Sequence, residues 1–147
     1  MYVKRLMAGW GDMDSNAHMR NTSYLDKSGD VRMMYFAANG FPIDEFARLR
    51  IGPVVMKDEV EYFREINLLE ELDVSLMVAG MAEDGSRFRV RNEFFQLNGK
   101  LSARVTSTGG WLDLAARKLV VPPAGLHAAV SALARTADFE ILPSSLK

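Results

Sequence analysis

The order of sequence patterns predicts an α+β architecture, one long helix laid against a curled antiparallel sheet of about five strands. Three observations carry that expectation. Near the N-terminus, TSYLDKSGDVRMMYFAA places Tyr24, Ser28, Val31, Tyr35 and Ala38 at helical spacing. The middle of the chain alternates at period two instead, and Asp84-Gly85 and Asn98-Gly99 break it with strong hairpin signals. A last apolar stripe, Leu126, Val130 and Leu133, follows Pro122-Pro123, a pair suited to open a helix.

In chain order, Tyr2 to Met7 reads as a first strand ending at Gly9 and Gly11. The long helix follows, with Asn21 or Thr22 expected to cap it and Asn39-Gly40 to end it. At roughly 17 residues it spans about 25 Å. Ser28 and Gly29 weaken it at the centre, which makes sense if another backbone passes close by. Pro42 to Arg50 is a short second helix. In VVMKDEVEYF, Val60 and Tyr62 alternate with Glu59 and Glu61; LDVSLMVAGM is apolar enough to be buried on both faces. RFRVRNEFFQL sets Arg87, Arg89 and Arg91 on one face against Phe88 and Val90. KLSARVTSTGGWLDL forms the next strand, with Gly109-Gly110 expected as a bulge or kink. From Ala137 onward the pattern assigns no element.

The chain of 147 residues holds one domain with a substantial core, spanning residues 1–147. With 48% hydrophobic and 25% charged residues its composition is that of a soluble globular protein. A net charge of −1 offers no electrostatic attraction for nucleic acid or an anionic membrane. The absence of cysteine excludes disulfides, thiolate metal sites and cysteine nucleophiles. No apolar run reads as a secretory signal or a membrane span, so a cytoplasmic protein is expected. Two histidines far apart in the chain leave no basis for a metal site, and no cofactor is expected.

Between the first strand and the long helix lies GWGDMDSNAHMRN, which crowds two aspartates, two asparagines and a histidine into 13 positions. Such residues make turns and helix caps, and they also make active sites. Asp12 reads as a turn or cap residue. His127 falls off the apolar stripe of the last helix and reads as a solvated surface residue. Asp26 and Asp30, four apart beside Lys27, form a solvated helix face.

The chain resembles the hotdog-fold acyl thioesterases of the 4-hydroxybenzoyl-CoA thioesterase type over nearly its whole length. The resemblance rests on WGDMDSNAHMRNTSYL, on EYFREINLLEELDV and on LNGKLSARVTSTGGWLDLAARKLVVPP. The core of the first motif is also similar to the plant-type acyl-carrier-protein thioesterases. The resemblance implies a hotdog fold and hydrolysis of an acyl-CoA or acyl-carrier-protein thioester. It implies Asp14 as general base or nucleophile, and the backbone N–H of Asn21 as oxyanion donor at the positive end of the helix. Asn16 and His18 would orient water, the carboxylate or the thioester carbonyl, and Tyr24 would line the pocket. The family builds its sites between subunits, which implies a homodimer or dimer of dimers in which a partner's Gly52 to Met56 region, Val54 and Val55 included, walls the site. Arg87, and after it Arg117 and Lys118, are implied contacts for nucleotide phosphates. The solvated-edge reading of Arg87, Arg89 and Arg91, each with an acidic cross-strand partner, stands beside that one.

Two rivals stay open at this level. A hotdog enoyl hydratase or dehydratase would pair Asp14 with His18, although D-S-N-A-H is one residue shorter than that family's G-D-x-N-P-x-H and lacks its proline. A non-catalytic hotdog domain would bind an acyl ligand only. A further thioesterase branch uses an acid on the central helix, where Asp26 and Asp30 stand; its His-Gly-Gly turn is missing.

Overall fold

The computed structural model describes residues 1–146; Lys147, the last position of the expected domain, lies outside the described residues. Strand β1 (Tyr2–Met7) leads through a 3-10 turn at Trp10–Asp12 into helix α1 (Asn21–Ala38) and helix α2 (Ile43–Leu49). Strands β2 (Ile51–Tyr62), β3 (Glu71–Ala82), β4 (Arg87–Gln96), β5 (Leu101–Asp113) and β6 (Lys118–Val120) follow, then α3 (Ala124–Ser131) and β7 (Arg135–Leu142). The main path of the sheet runs β1-β3-β4-β5-β2, with β6 beside β5 and β7 beside β3.

The expected five strands are the main path, and two more extend it. β6 is only three residues long, pairing Lys118 to Val120 with Asp113 to Trp111. β7 uses the region left unassigned, and it joins β3 in parallel at Gly80 to Ala82. Its signal was hidden because a short edge strand with exposed, charged positions lacks a clean alternation. The two hairpins fall at Asp84-Gly85 and Asn98-Gly99 as the turn chemistry dictates.

α1 buries Ser23, Tyr24, Ser28, Val31, Tyr35 and Phe36, a stripe of the expected spacing. Its N-cap is Arg20, which makes no side-chain cap, so Asn21 is the first helical residue and neither Asn21 nor Thr22 caps the helix. That leaves the Asn21 N–H without an intrahelical acceptor. Tyr35 donates its hydroxyl to the Ala129 carbonyl at 2.6 Å, tying α1 to α3. Below the helix, Trp111 is 1% exposed, stacks on Phe46 and packs against Phe36 and Phe88.

Two glycine expectations are corrected. The irregularity in the β2–β5 pairing lies on β2, between Val55 and Lys57, while Gly109 and Gly110 pair in register with Val55 and Val54. Gly109 is needed for a different reason: a Cβ there would stand 2.1 Å from the Val54 carbonyl oxygen. Gly29 admits no close backbone, since a Cβ there would meet nothing within 4 Å. The space beside it is a cavity.

Candidate functional site

The loop from Asp12 to Arg20 is short of regular structure but dense in internal bonds. Asp14 N–H donates to the His18 carbonyl at 2.8 Å, and Ala17 N–H donates back to the Asp14 carbonyl at 3.1 Å. The turn this closes places Ala17 at φ 60°, a conformation that a residue with a Cβ adopts at a cost. Met19 N–H reaches the Ile66 carbonyl at 2.8 Å, which fastens the loop to the β2–β3 connection. The loop is thereby held over the N-terminus of α1.

Asp12 and Asp14 have separate jobs. Asp12 Oδ2 accepts the Gly9 N–H at 2.8 Å and lies 3.0 Å from the Lys27 ammonium of α1. Burial raises the pKa of this carboxyl, but the Gly9 bond and Lys27 outweigh it and hold it below the usual carboxylate range. It is the turn residue expected. Asp14 is exposed, and its Oδ1 accepts the backbone N–H of Asn16 at 2.8 Å and of His18 at 3.2 Å. Among the described residues nothing donates to its Oδ2. One oxygen is thus fixed and the other open to a water or substrate.

Asp14, Asn16, His18, Asn21 and Tyr24 come together around one open cleft of about 420 Å³. Its remaining wall is Met19 with Tyr62, Phe63, Arg64 and Glu65, from the end of β2 and the loop beyond. His18 turns its Nε2 toward Glu65 Oε2 at 3.1 Å and away from the Asp14 carboxylate, which meets only its backbone. Tyr24 is 3% exposed and packs edge-on against Tyr62 and Phe94. Burial, with Tyr62 and acidic neighbours adding to it, pushes its phenol up to about 12. It therefore stays a neutral wall of the cleft at ordinary pH. Asp14 also borders a second depression of about 470 Å³, on the other side of the loop, with Trp10, Met13, Ala17, Arg20 and Leu68.

The other expected residues lie away from this chain's own cleft, Val54 and Val55 having been expected there from a partner's copy. Val54 and Val55 pair with Gly110 and Gly109 near the start of β2, and Val55 lines a different cavity. Arg87 lies on β4 opposite Gly110, its Nε buried and without a hydrogen-bond partner among the described residues. Arg117 is exposed in the β5–β6 turn at φ 56°. For Arg89 and Arg91 the acidic-partner reading holds: Arg89 meets Glu140 at 2.6 Å, and Arg91 grips Asp138 with two bonds of 2.9 Å. Both acids belong to β7, the strand the sequence left unassigned. His127 is half-buried against the Gly85 turn and reaches no cleft residue. Glu65 and Arg64 were missed as site residues. Their signal was the EYFREINLLEELDV run, which carries the resemblance as an aromatic strand end followed by a turn and an acidic residue but from which no site residue is drawn.

Over residues 8–130 the sequence matches the thioesterase-like superfamily. The chain belongs to that superfamily, and its enzyme class is thioester hydrolase. Its fold is similar to that of a hypothetical protein from Staphylococcus aureus in complex with CoA, at 16% identity and a TM-score of 0.81, covering 88% of this chain and 81% of that one. A 1,4-dihydroxy-2-naphthoyl-CoA thioesterase from Synechocystis matches at 15% identity and a TM-score of 0.80, over 90% and 96% of the two chains. A gentisyl-coenzyme A thioesterase matches at 14% and 0.77, over 87% and 98%. At such identities the likeness establishes the hotdog fold. No curated protein sequence matches the chain. Among the described residues no helix is long and apolar enough to cross a membrane.

Proposed function

We propose that this chain hydrolyses an acyl-CoA thioester to the free acid and CoA, with Asp14 at the reacting centre. The observation that carries the reading is the shared cleft of the Asp14 carboxylate and the N-terminus of α1 at Asn21. In this mechanism Asp14 Oδ2 takes a proton from water while the oxygen of that water adds to the thioester carbonyl carbon. The carbonyl oxygen becomes an oxyanion held by the Asn21 N–H and the positive end of the helix. Collapse breaks the C–S bond, and the proton held by Asp14 passes to the departing thiolate. The alternative within this reading is attack by Asp14 itself, giving a mixed anhydride that water then opens. Asn16 and His18 orient the water or carbonyl, and Tyr24 walls the acyl group.

The turn of His18 toward Glu65 favours hydrolysis over the hydratase reading, which requires the imidazole and the Asp14 carboxylate to act as one acid–base pair. CoA appears in the names of the similar structures and supports the choice of carrier, with acyl carrier protein as the second candidate. For the nucleotide phosphates the proposed contacts are Arg87 and Arg117, neither of which meets a carboxylate among the described residues. The proposed assembly is a homodimer, able to pair again into a tetramer. β2 is an edge strand with exposed Val55, Met56 and Tyr62, and a partner's Val54 and Val55 would then wall the cleft. A cytoplasmic location belongs to the same reading and is consistent with the lack of cysteine.

Thiol release from a panel of acyl-CoAs tests the proposal, comparing the wild type with Asp14→Ala. Hydrolysis by the wild type that drops at least about a hundredfold in the variant is the expected result. Release that survives in the variant moves the chemistry off Asp14.

A further inference from the structure

α1 carries a cation into the interior. Arg32 stands eleven positions beyond Asn21, about 16 Å along the helix, and its guanidinium reaches β4 and β5. Its Nε donates to Asn92 Oδ1 at 3.0 Å and one Nη donates to Ser107 Oγ at 2.7 Å. Asn92 and Ser107 are both fully buried and neutral. The compensating charge is Asp58 on β2, reached through the Ser107 hydroxyl, which donates to it. No carboxylate touches the guanidinium directly among the described residues. Burial pushes the Arg32 pKa down to about 10, with Asp58 offsetting part of the shift.

The same side chain lines a cavity of about 150 Å³ between α1, β2, β4 and α3. Gly29, Met33, Phe36, Val55, Phe88 and Val130 make most of its wall, and Arg32 is the one charged residue on it among the described residues. A largely buried cation at its edge, with two of its five N–H groups committed, keeps donors free for a ligand and has its charge met only at second hand. A ligand with an apolar body and an anionic end answers both surfaces.

We propose that this cavity binds a carboxylate carried on a small apolar body, with Arg32 as its charge partner. Two sources share that chemistry. One is a free organic acid. The other is the far end of a dicarboxylic acyl group, a source that rests on the thioesterase reading above. In either case Asp58 competes with the ligand for the cation, so its removal strengthens binding.

Calorimetric titration with pentanoate and with pentanamide tests the site without any need for turnover. The wild type binds pentanoate about tenfold or more tighter than pentanamide. Arg32→Gln abolishes that preference, and Asp58→Asn widens it. Equal binding of acid and amide by the wild type overturns the proposal, as does an unchanged preference in Arg32→Gln. Should Arg32→Gln fail to fold, Asp58→Asn decides alone, since a narrowed preference there contradicts competition for the cation. Hydrolysis of dodecanedioyl-CoA against dodecanoyl-CoA, acyl chains long enough to approach the ~16 Å between Asn21 and Arg32, then separates the sources. A kcat/KM ratio that falls in Arg32→Gln assigns the site to the acyl end, whereas an unchanged ratio with retained pentanoate binding by the wild type assigns it to a free acid.

Discussion

The turn that holds Asp12 and the turn that holds Asp14 are two residues apart, and the protein uses the same side chain in opposite ways in them. Asp12 points inward: its side chain is 23% exposed and its partner Lys27 12%. Asp14 faces solvent and bonds only to backbone N–H groups of its own loop. Each carboxylate is held through one oxygen, Asp12 by Oδ2 and Asp14 by Oδ1. What separates them is the surroundings: Asp12 is paired with an ammonium in a half-buried site, whereas Asp14 stands exposed with no counter-ion beside it among the described residues. The difference teaches that a D-x-D pattern says little by itself about which acid reacts; what each carboxylate faces across the fold decides.

The largest expected effect separates the two by activity. Asp14→Ala costs at least about a hundredfold in thiol release while stability falls by only about 1 kcal/mol, the worth of the two backbone N–H bonds its Oδ1 accepts. Asp12→Asn keeps activity per folded molecule within a few fold of the wild type. Measuring both variants in one assay breaks the comparison if Asp12→Asn proves the more damaging to turnover.

The next effect runs the other way. Asp12→Asn leaves Lys27 half-buried without its counter-ion and lowers unfolding free energy by about 1–3 kcal/mol, read by urea denaturation. Its pH dependence follows from sign. The folded-state pKa of Asp12 is held below its unfolded value of about 3.9, so its stabilisation is full above that value and is lost as pH falls through the folded pKa. Asp138, which the Arg91 guanidinium holds well below the usual range, keeps part of its contribution further into acid than Asp12 does. Urea midpoints taken between pH 6 and pH 3 therefore converge for wild type and Asp12→Asn, and a gap that stays constant removes the Lys27 pairing from the account.

Smaller effects sharpen what surrounds Asp14. His18→Ala lowers thiol release by about tenfold if its imidazole orients the reacting water. Glu65→Gln, on an exposed partner, costs about threefold or less, because solvent screens the pair. A loss in Glu65→Gln as large as that in His18→Ala would make the pair a single catalytic unit.

Much of this was legible in local pattern. Asp84-Gly85 and Asn98-Gly99 announced their hairpins because each four-residue loop closes through a glycine at positive φ, 77° at Gly85 and 87° at Gly99. The helix announced itself through the spacing of Tyr24, Ser28, Val31 and Tyr35. The seven-residue step from Asp14 to Asn21 came from the family resemblance, and the fold does bring both to one cleft. Where the reading slipped, the cause was distance along the chain. The cap expected at Asn21 or Thr22 gave way to Arg20 because the Asp12–Arg20 loop, fastened to Ile66, sets where the helix begins. The gap expected to admit a backbone beside Gly29 stays open because β2, β4 and α3 converge around it without filling it.

By itself, then, the amino-acid order determined the long helix and the hairpin meander, since each depends on neighbours within a few positions, and the resemblance to the hotdog thioesterases singled out the candidate carboxylate. Tertiary structure alone decided the rest. Lys27 claims Asp12, β7 supplies the acids that occupy Arg89 and Arg91, and Arg32 enters the core to meet Ser107, 75 positions away. Charge pairing and cavity shape come from groups that only folding brings within a few ångströms, and no local period records them.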